Sequence, residues 1–440
     1  MFESTIVSQA TPHGFSAIAV VRLSGSRSFD LAIKISKTKQ PLHHLKPRYL
    51  PIYIGSERKI DSGIFTPFKS PRSFTGEDVV EISCHGNPII VSAIIEEFIG
   101  FGAKIAEPGE YTKRAFFNKK LDLTQAESIG LLIQARSLEA AEQQVKNLDG
   151  SISSLILNIK TSLLECLSGI EYELDISEDE FFNKNLQLKA ISKFKKNIKT
   201  LERLTSTYFS GSLYSKGFRF VFLGKPNAGK STLINTILNN QRSLTSPTPG
   251  TTRDVITTDI VMSGVPITIV DTAGVHKTKD RVELAGIAKT MEELSKADFV
   301  FSLFTTKLEP VDFIEDKRTC LIYNKNDIKP YPGTKPGVLS VSALSPDSVD
   351  LVVKKMKDVL KGVKTDGVVP LLTTVRQRDS LTQTTTSIKA AMAHLNTNNP
   401  ELEIVAHEIQ NALANLNLTA GKTTTKDILD GVFSSFCVGK

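Results

Sequence analysis

The chain contains no tryptophan and only four cysteines among its 440 residues. Cys84, Cys166, Cys320 and Cys437 are far apart and form no C-x-x-C pair, so the sequence predicts neither a disulfide framework nor a zinc site. No apolar run approaches the roughly 18 residues that cross a bilayer. The first residues, MFESTIVSQATPHG, lack the basic and apolar segments of a signal peptide. These absences favour a cytoplasmic protein with no membrane partner.

The balance of charges specifies little by itself. Lys and Arg outnumber Asp and Glu by 54 to 47, which gives a formal net charge of +7. An excess of this size mildly favours an anionic partner such as RNA. The length favours about three domains, and the style of the sequence changes along the chain.

Three patterns of apolar residues and turns along the chain predict three domains. Residues 1–118 alternate strand-like segments with turns and one helix-like segment, PIIVSAIIEEFIGFGA, which is typical of an α+β domain. Residues 119–215 and 371–440 carry apolar residues at three- and four-residue spacing, which predicts an α-helical bundle. Residues 216–370 alternate strand and helix patterns, which predicts a parallel α/β sheet inserted into the helical domain.

The helical spacing is clearest in three segments. Apolar residues that recur every three or four positions form one stripe of a helix, and the simplest interpretation is a bundle core rather than a cofactor site. The stripe residues are Ile152, Leu155, Ile156, Ile159, Leu163, Leu167, Ile170 and Leu174; then Ile191, Phe194, Ile198, Leu201, Leu204 and Tyr208; and then Leu402, Val405, Ile409, Leu413 and Leu416.

The clearest chemical motif is FRFVFLGKPNAGKSTLINTIL, an apolar strand, a glycine-rich loop and a helix. The alternative is a chance glycine-rich turn. The spacing Gly224-x-x-x-x-Gly229-Lys230-Ser231 lets backbone N–H groups surround phosphate oxygens at a helix N-terminus. Lys230 then neutralises phosphate charge, and Ser231 binds Mg²⁺. The motif predicts a nucleotide-binding (P-loop) domain of the Ras-like type.

Three further segments follow predicted strands and indicate guanine. DTAG offers a carboxylate for Mg²⁺ and a glycine amide for a γ-phosphate. The Asp of NKND accepts two N–H bonds from guanine that adenine cannot supply, and the amides of VSAL can contact the guanine oxygen. The residues predicted to bind GTP are Gly224, Asn227, Ala228, Gly229, Lys230, Ser231, Thr232, Asp271, Thr272, Ala273, Gly274, Asn324, Lys325, Asp327, Ser342, Ala343 and Leu344.

The residues that hydrolyse GTP are less usual. Ras-like enzymes orient the attacking water with a Gln beside the DTAG-type glycine, but here that neighbour is Val275, followed by His276. Glu283 is a candidate general base, and Asn227 a candidate ligand for a monovalent cation near the phosphates. The alternatives are that Glu283 favours a helix N-terminus and that Asn227 is a turn residue.

Together with these motifs, the outer segments of the chain resemble the MnmE (TrmE) family of tRNA-modification GTPases. The resemblance is carried by TIVSQATPHG, RSFTGEDVVEISCHGN, PGEYTKRAFFNKKLDLTQAES, GKPNAGKSTLIN, PGTTRD, DTAG with a following VE, NKND and the terminal FSSFCVGK. One departure is Phe15-Ser16-Ala17 after TPHG, where the family commonly has Arg-Gly-Gly. The resemblance implies an N-terminal folate-binding domain that dimerises, a helical domain and an inserted GTPase domain.

The resemblance also implies chemistry, cofactors and partners. Family members act as homodimers with an FAD- and NADH-dependent MnmG-like partner, in a heterotetramer or larger complex. They install an aminomethyl or carboxymethylaminomethyl group at C5 of the wobble uridine of certain tRNAs. The one-carbon donor is a tetrahydrofolate derivative, either 5-formyl- or 5,10-methylene-tetrahydrofolate. GTP hydrolysis requires Mg²⁺ and is stimulated by K⁺.

Position by position, the resemblance assigns roles that spacing alone does not. Arg22, Glu81, Lys120 and Lys440 correspond to folate contacts, and Glu283 to a general base that acts through water. Arg253 and Asp254 lie in the first switch segment, where Thr252 corresponds to the threonine on Mg²⁺. The corresponding residues of the potassium loop are Asn227, Ser246, Thr248 and Thr251.

In the tail FSSFCVGK, Cys437 is the fourth residue from the end of the printed sequence, the position of the cysteine in a prenylation box. Gly439 and Lys440 are not the aliphatic and the small or apolar residues that such a box requires. The resemblance instead implies that the tail returns to the folate site. Cys437 is then a candidate catalytic residue, and the choice between a nucleophile and a packed thiol stays open.

Two alternatives remain at this point. The basic run KAISKFKKNIKTLERL is either a contact for tRNA phosphates or the solvated face of an amphipathic helix. The chain itself is either a tRNA-modifying GTPase or a switch GTPase that regulates assembly of ribosomes or other complexes without chemistry on a base. The outer motifs favour the tRNA-modifying enzyme.

Overall fold

The structure is a computed structural model. It describes residues 3–176, 183–240, 256–272, 281–306, 317–333, 335–361, 370–421, 426–434, 436 and 438–439, with the backbone alone for 176, 240, 281–287 and 426. These residues divide into two compact units, of which the first comprises Met1–Gly130, Lys146–Leu201 and Asp379–Lys440, and the second comprises Leu131–Val145 and Glu202–Arg378. The three-domain bounds given above stay a prediction.

The first unit begins with a six-stranded sheet of order β3-β4-β5-β2-β1-β6, antiparallel except for the β1–β6 pair. Side chains alternate between the two faces of a strand, and Val21, Phe65 and Ile82 bury one face in a hydrophobic core. The strands are β1 (Ile6–Gln9), β2 (Ser16–Ser24), β3 (Arg48–Ile54), β4 (Arg58–Phe68), β5 (Val79–Gly86) and β6 (Lys104–Ile105).

Three helices accompany this sheet: α1 (Ser28–Ser36), α2 (Pro88–Gly100) and α3 (Glu110–Phe117). Asn87 caps α2 by accepting a bond from the Ile89 amide, and Pro88 occupies the first helical position, where a missing N–H costs nothing. The predicted α+β pattern of this part of the chain is confirmed.

Long helices make up most of the remaining chain outside the second sheet. The helices are α4 (Leu123–Ile133), α5 (Leu138–Leu148), α6 (Ser151–Ile176), α7 (Lys184–Ser206), α12 (Val375–Leu395), α13 (Leu402–Ala420) and α14 (Lys426–Ser434). The predicted stripes of α6, α7 and α13 are largely buried, with two exceptions. Leu174 is 37% exposed, and Tyr208 belongs to the next helix because α7 ends at Ser206.

The second unit contains a six-stranded sheet of order β12-β11-β10-β7-β9-β8. Its pairs are parallel except that β8 runs antiparallel to β9. The predicted parallel sheet therefore has one antiparallel edge strand. Its elements are α8 (Tyr208–Lys216), β7 (Phe218–Gly224), α9 (Lys230–Asn240), β8 (Ile256–Met262), β9 (Val265–Asp271), α10 (Arg281–Ser295), β10 (Phe299–Phe304), β11 (Thr319–Tyr323), β12 (Leu339–Ser340) and α11 (Pro346–Leu360).

The turn between β8 and β9 explains the antiparallel edge. Ser263 and Gly264 both have positive φ, 53° and 79°, as in the two-residue type I′ turn that joins antiparallel strands. The predicted fold class, with an α+β part, a helical part and an α/β P-loop part, is confirmed. Among the described residues, no helix is long and apolar enough to span a bilayer.

Candidate functional site

The phosphate loop lies between β7 and α9, where the chain turns from a buried strand into a helix. Gly224 has φ +156°, and a Cβ there would lie 2.5 Å from the Leu303 carbonyl oxygen. Gly229 has φ +87°, and a Cβ there would clash with the Asn324 amide nitrogen. Only glycine fits both positions, so the backbone N–H groups of the loop can approach a ligand closely, as phosphate binding requires.

Lys230 opens α9 and is buried. Its Nζ donates to the carbonyl oxygens of Gly224 at 3.0 Å and Lys225 at 3.2 Å, so the cation spans the loop. Burial lowers the pKa of Lys230, and the nearby charge of Asp271 partly opposes that shift. An anion bound in the loop would supply the charge that this site lacks.

Ser231 and Asp271 provide oxygen donors for a divalent cation. The Ser231 hydroxyl donates to Asp271 Oδ2 at 2.5 Å, which brings the end of β9 to the start of α9. A hydroxyl and a carboxylate suit Mg²⁺, which binds proteins through a few oxygen ligands and retains waters. The residues present therefore fit the ion. Thr272, the next residue, is buried and donates to the Phe222 carbonyl oxygen at 2.8 Å, which fixes the start of the DTAG segment.

Asn324 joins the two loops that would enclose a base. It is buried, its Nδ2 donates to the Ala228 carbonyl oxygen at 2.8 Å, and its Oδ1 accepts from the Ala343 amide at 2.9 Å. Lys325 follows with φ +64°, and Asp327 is exposed. The Asp327 carboxylate is thus accessible to the guanine edge, while Asn324 holds the phosphate loop and the VSAL loop in place.

The amides of the VSAL loop are partly used within the protein. The Ser342 amide donates to Ser348 Oγ at 2.9 Å, and the Ala343 amide donates to Asn324. In the part of the chain that the structure describes, no hydrogen bond of the Leu344 amide is seen. Of the three residues predicted to contact the guanine oxygen, Leu344 therefore has the available donor. Thr236 of α9 also donates to the Ala343 carbonyl oxygen at 2.7 Å.

Several predicted site residues lie outside the described part of the chain. For Glu283 the structure gives the backbone, in α10, but not the side chain. The remaining predicted residues outside the described ranges are Ser246, Thr248, Thr251, Thr252, Arg253, Asp254, Ala273, Gly274, Cys437 and Lys440. Asn227 is described, with φ +62° and an exposed side chain.

A second group of predicted residues meets on the sheet of the first unit. Arg22 on β2 and Glu81 on β5 are opposite each other in register and form a salt bridge of 2.8 Å. Arg22 Nη1 also donates to the Gly439 carbonyl oxygen at 3.1 Å. A Cβ on Gly439, which has φ +97°, would clash with the Gln9 carbonyl oxygen. The C-terminal tail is therefore packed closely beside this ion pair.

Tyr111 contacts both the backbone and the guanidinium of Arg22, and it was not among the residues predicted from the sequence motifs. Its buried hydroxyl donates to the Arg22 carbonyl oxygen at 2.7 Å and accepts from Ser8 Oγ at 3.2 Å. The Arg22 guanidinium lies 5.5 Å from the centroid of the ring. The residue stands in the quoted segment PGEYTKRAFF, but no spacing indicated that its hydroxyl reaches the strand that carries Arg22.

Lys120 is not joined to this group by a hydrogen bond. Its Nζ donates to the Pro71 carbonyl oxygen at 3.1 Å, and within the described ranges it makes no bond to Arg22 or Glu81. Burial raises the pKa of Cys84 and of Cys166 to about 11, so these thiols pack as neutral groups. Among the described residues, no cluster of His, Cys, Asp and Glu could hold a metal ion.

Family models match almost the whole chain. Residues 5–120 match the family model described as GTP-binding protein TrmE N-terminus, and residues 123–437 match the model of the MnmE helical domain. A protein named tRNA modification GTPase MnmE from Thermotoga petrophila is 35% identical over 99% of this chain and 100% of its own length. The protein of the same name from Syntrophus aciditrophicus is 36% identical over 100% of both chains. A crystal structure of Era from Aquifex aeolicus, 23% identical over 38% of this chain and 66% of that chain, gives a TM-score of 0.26, too low to support an argument.

Proposed function

Because the chain belongs to the MnmE (TrmE) family of tRNA-modification GTPases, we propose that it hydrolyses GTP in order to modify tRNA. With an FAD- and NADH-using MnmG-like partner, it installs an aminomethyl or carboxymethylaminomethyl group at C5 of the wobble uridine. A tetrahydrofolate derivative supplies the one-carbon unit. The protein acts in the cytoplasm as a homodimer within a heterotetramer or larger complex.

The observation that carries the GTPase part is the bridge made by Asn324. One side chain bonds both the phosphate loop at Ala228 and the VSAL loop at Ala343. The exposed Asp327 lies three positions further on. A carboxylate at this place accepts two N–H bonds from guanine, and adenine would leave it unsatisfied. The arrangement supports selection of GTP over ATP.

The chain's own residues divide the work on the phosphates. Backbone N–H groups of the loop and Lys230 bind the phosphate oxygens, and Ser231 with Asp271 would hold Mg²⁺. When bound, Mg²⁺ supplies positive charge to the phosphate oxygens as a Lewis acid. We assign Glu283 as the general base that orients the attacking water through a second water.

A monovalent cation completes the charge stabilisation in this proposal. Asn227, Ser246, Thr248 and Thr251 would hold K⁺ close to the phosphates, where an arginine finger acts in other GTPases. The exposed Asn227 side chain beside the phosphate loop supports that role. Arg253 and Asp254 belong to the first switch segment, and Thr252 contributes to the Mg²⁺ site.

The folate part of the proposal rests on Arg22 and Glu81. A folate carries a glutamate tail that pairs with a guanidinium and a pteridine whose N–H groups pair with a carboxylate. Both groups stand side by side on the sheet, next to the tail at Gly439. The donor set therefore fits the cofactor. Lys120, Lys440 and Cys437 are the further residues that we assign to this site.

An exposed apolar pair supports the homodimer. Tyr49 on β3 is directly opposite Ile64 on β4, and they are 73% and 46% exposed. Apolar side chains that lie side by side on an exposed sheet are removed from water when a second copy covers them, which is favourable. We place the contact between two copies of the chain on this part of the sheet.

Nucleoside analysis of tRNA tests the proposed function. In cells that lack this protein, we expect the C5-modified wobble uridine to be lost from total tRNA digests, and to return when the wild-type gene is supplied. Unchanged modification would contradict the proposal and leave the assembly GTPase as the better hypothesis.

A further inference from the structure

Helix α7 concentrates positive charge to a degree that its neighbours do not. Its 23 residues contain seven Lys or Arg and a single acidic residue, a net charge of +6 in a chain whose total is +7. By contrast, α11 carries three Asp and three Lys. Helix surfaces that merely face water usually mix the two signs, because like charges at i and i+4 destabilise the helix.

The buried side of α7 fixes where the lysines point. Phe194, Asn197, Ile198 and Leu201 are buried and fix the rotation of the helix about its axis. The residues on the opposite side are exposed, and the lysines among them are Lys189, Lys195, Lys196 and Lys199. From Lys189 to Lys199 this face, which we name the basic face, extends about 15 Å at 1.5 Å per residue.

Helix α6 provides an acidic partner only to the first half of α7, at Lys193. The two helices run antiparallel, since Asn183 bonds Glu173 at 3.3 Å, Lys193 bonds Glu165 at 2.6 Å and Asn197 bonds Ser162 at 3.1 Å. All acidic residues of α6 lie from Glu165 onward. The second half of α7 therefore faces the part of α6 that has no carboxylate.

Three lysines in that second half have no acidic partner in the described ranges. The structure shows no ion pair of Lys195, Lys196 or Lys199 with any described carboxylate. Repulsion among charges at 195, 196 and 199 weakens the helix, and no ion pair with a described carboxylate relieves it. A polyanion bound on this side would relieve it.

The chemistry of the basic face favours RNA over an acidic protein. Protein interfaces are centred on exposed aromatic or large aliphatic residues and contain little lysine. From Lys189 to Leu201 no large hydrophobic side chain is exposed among the described residues, and the one exposed leucine beside this stretch is Leu188 at 62%. Lysines on flexible stems, spaced along a straight helix, suit the phosphates of a nucleic acid strand.

We propose that the basic face of α7 binds the phosphate backbone of the tRNA substrate, an inference that rests on the proposed function. The face positions the tRNA and contributes no base-specific contact. Its contribution to affinity is accordingly electrostatic and depends strongly on salt.

The test measures the affinity of the full-length protein for an unmodified tRNA transcript over a range of KCl concentrations. In the variant Lys195→Gln/Lys196→Gln/Lys199→Gln we expect weaker binding and a slope of log K against log salt that is smaller by about two to three. The control variant Lys354→Gln/Lys355→Gln/Lys357→Gln removes the same charge from α11 and should keep the wild-type slope. GTP hydrolysis without tRNA should match wild type in both.

Three outcomes would overturn the proposal. Wild-type affinity and slope in the α7 variant would do so, and so would loss of binding to the FAD-dependent partner with tRNA binding intact. Absence of tRNA binding by the wild type would also contradict the proposed role of the basic face. Nucleoside analysis of the deletion strain then decides separately whether the chain acts on tRNA.

Discussion

Lys230 is held as a cation in a buried position whose nearest partners are two carbonyl oxygens. Burial lowers the pKa of Lys230 from the ordinary value of 10.5, so the folded protein holds this proton less tightly than the unfolded chain. The charge therefore costs stability below the folded pKa, and that cost disappears as the pH rises to 10.5. The buried charge of Lys230 lowers the stability of the protein without nucleotide, and a bound anion would offset that cost.

Replacement of Lys230 by Met separates binding from stability. We expect Lys230→Met to lower GTP affinity at least tenfold, because the phosphate charge loses its partner. Without nucleotide, the melting temperature at pH 7 should equal or exceed that of wild type, and the difference should shrink toward pH 10.5. Fluorescent nucleotide titration and thermal unfolding measure the two effects. A variant that keeps wild-type affinity, or melts well below wild type without nucleotide, would contradict this assignment.

Tyr111 shows what residue patterns do not reveal. The phosphate loop was predictable because its contacts lie within a few positions of one another. The hydroxyl of Tyr111 reaches the Arg22 carbonyl 89 positions away, and the Gly439 carbonyl reaches Arg22 across 417 positions. The resemblance to a family implied that the tail meets Arg22, but spacing within the sequence could not.

At the scale of elements, periodicity predicted which side of α6 is apolar. It did not predict how far along the helix axis the packing extends. Leu174, near the C-terminal end of α6, was predicted to be in the core and is exposed. The end of α7 was also missed, because no Gly or Pro marks it. Thr207 ends that helix with one local and one distant bond: its hydroxyl donates to the Leu204 carbonyl at 2.6 Å and accepts from the Leu372 amide, 165 positions away, at 3.1 Å.

Two adjacent leucines of α6 provide a matched test of the bundle core. Leu163 is fully buried and Leu164 is 46% exposed. Truncation of the buried side chain leaves a cavity, so Leu163→Ala should lower the free energy of unfolding by about 2–5 kcal/mol. Leu164→Ala should cost less than about 1 kcal/mol. Urea unfolding followed by far-ultraviolet circular dichroism compares them, and equal losses would contradict the burial assigned to α6.

In the whole molecule, the phosphate and base loops follow strands of one sheet, and the proposed folate residues Arg22 and Glu81 lie on the other. Most of the guanine-nucleotide site could be predicted from short motifs that follow predicted strands. The antiparallel edge strand β8 was not predicted, because the alternation of strands and helices alone was considered and the Ser263-Gly264 turn signal between two strands was overlooked.

Potassium dependence is a prediction about the intact enzyme. We expect GTP hydrolysis by the full-length protein to fall sharply when K⁺ is replaced by Na⁺ at the same ionic strength, because the proposed cation site at Asn227 stabilises phosphate charge only when K⁺ occupies it. Phosphate release in the two salts measures the effect. Equal rates would remove Asn227 from the role of cation ligand.

The substitution Asp327→Asn couples the base specificity of this position to the chemistry on tRNA. Asp327→Asn offers one acceptor and one donor in place of two acceptors, which suits xanthine rather than guanine. Formation of the C5-modified wobble uridine is measured with the FAD-dependent partner, a folate donor and tRNA. We predict that wild type requires GTP and that the variant works with xanthosine triphosphate. With GTP the variant should lose activity by about two or more orders of magnitude, because the bound base would leave a hydrogen-bonding group unpaired. Modification that proceeds equally without any nucleotide, or with GTP in the variant as in wild type, would contradict this prediction.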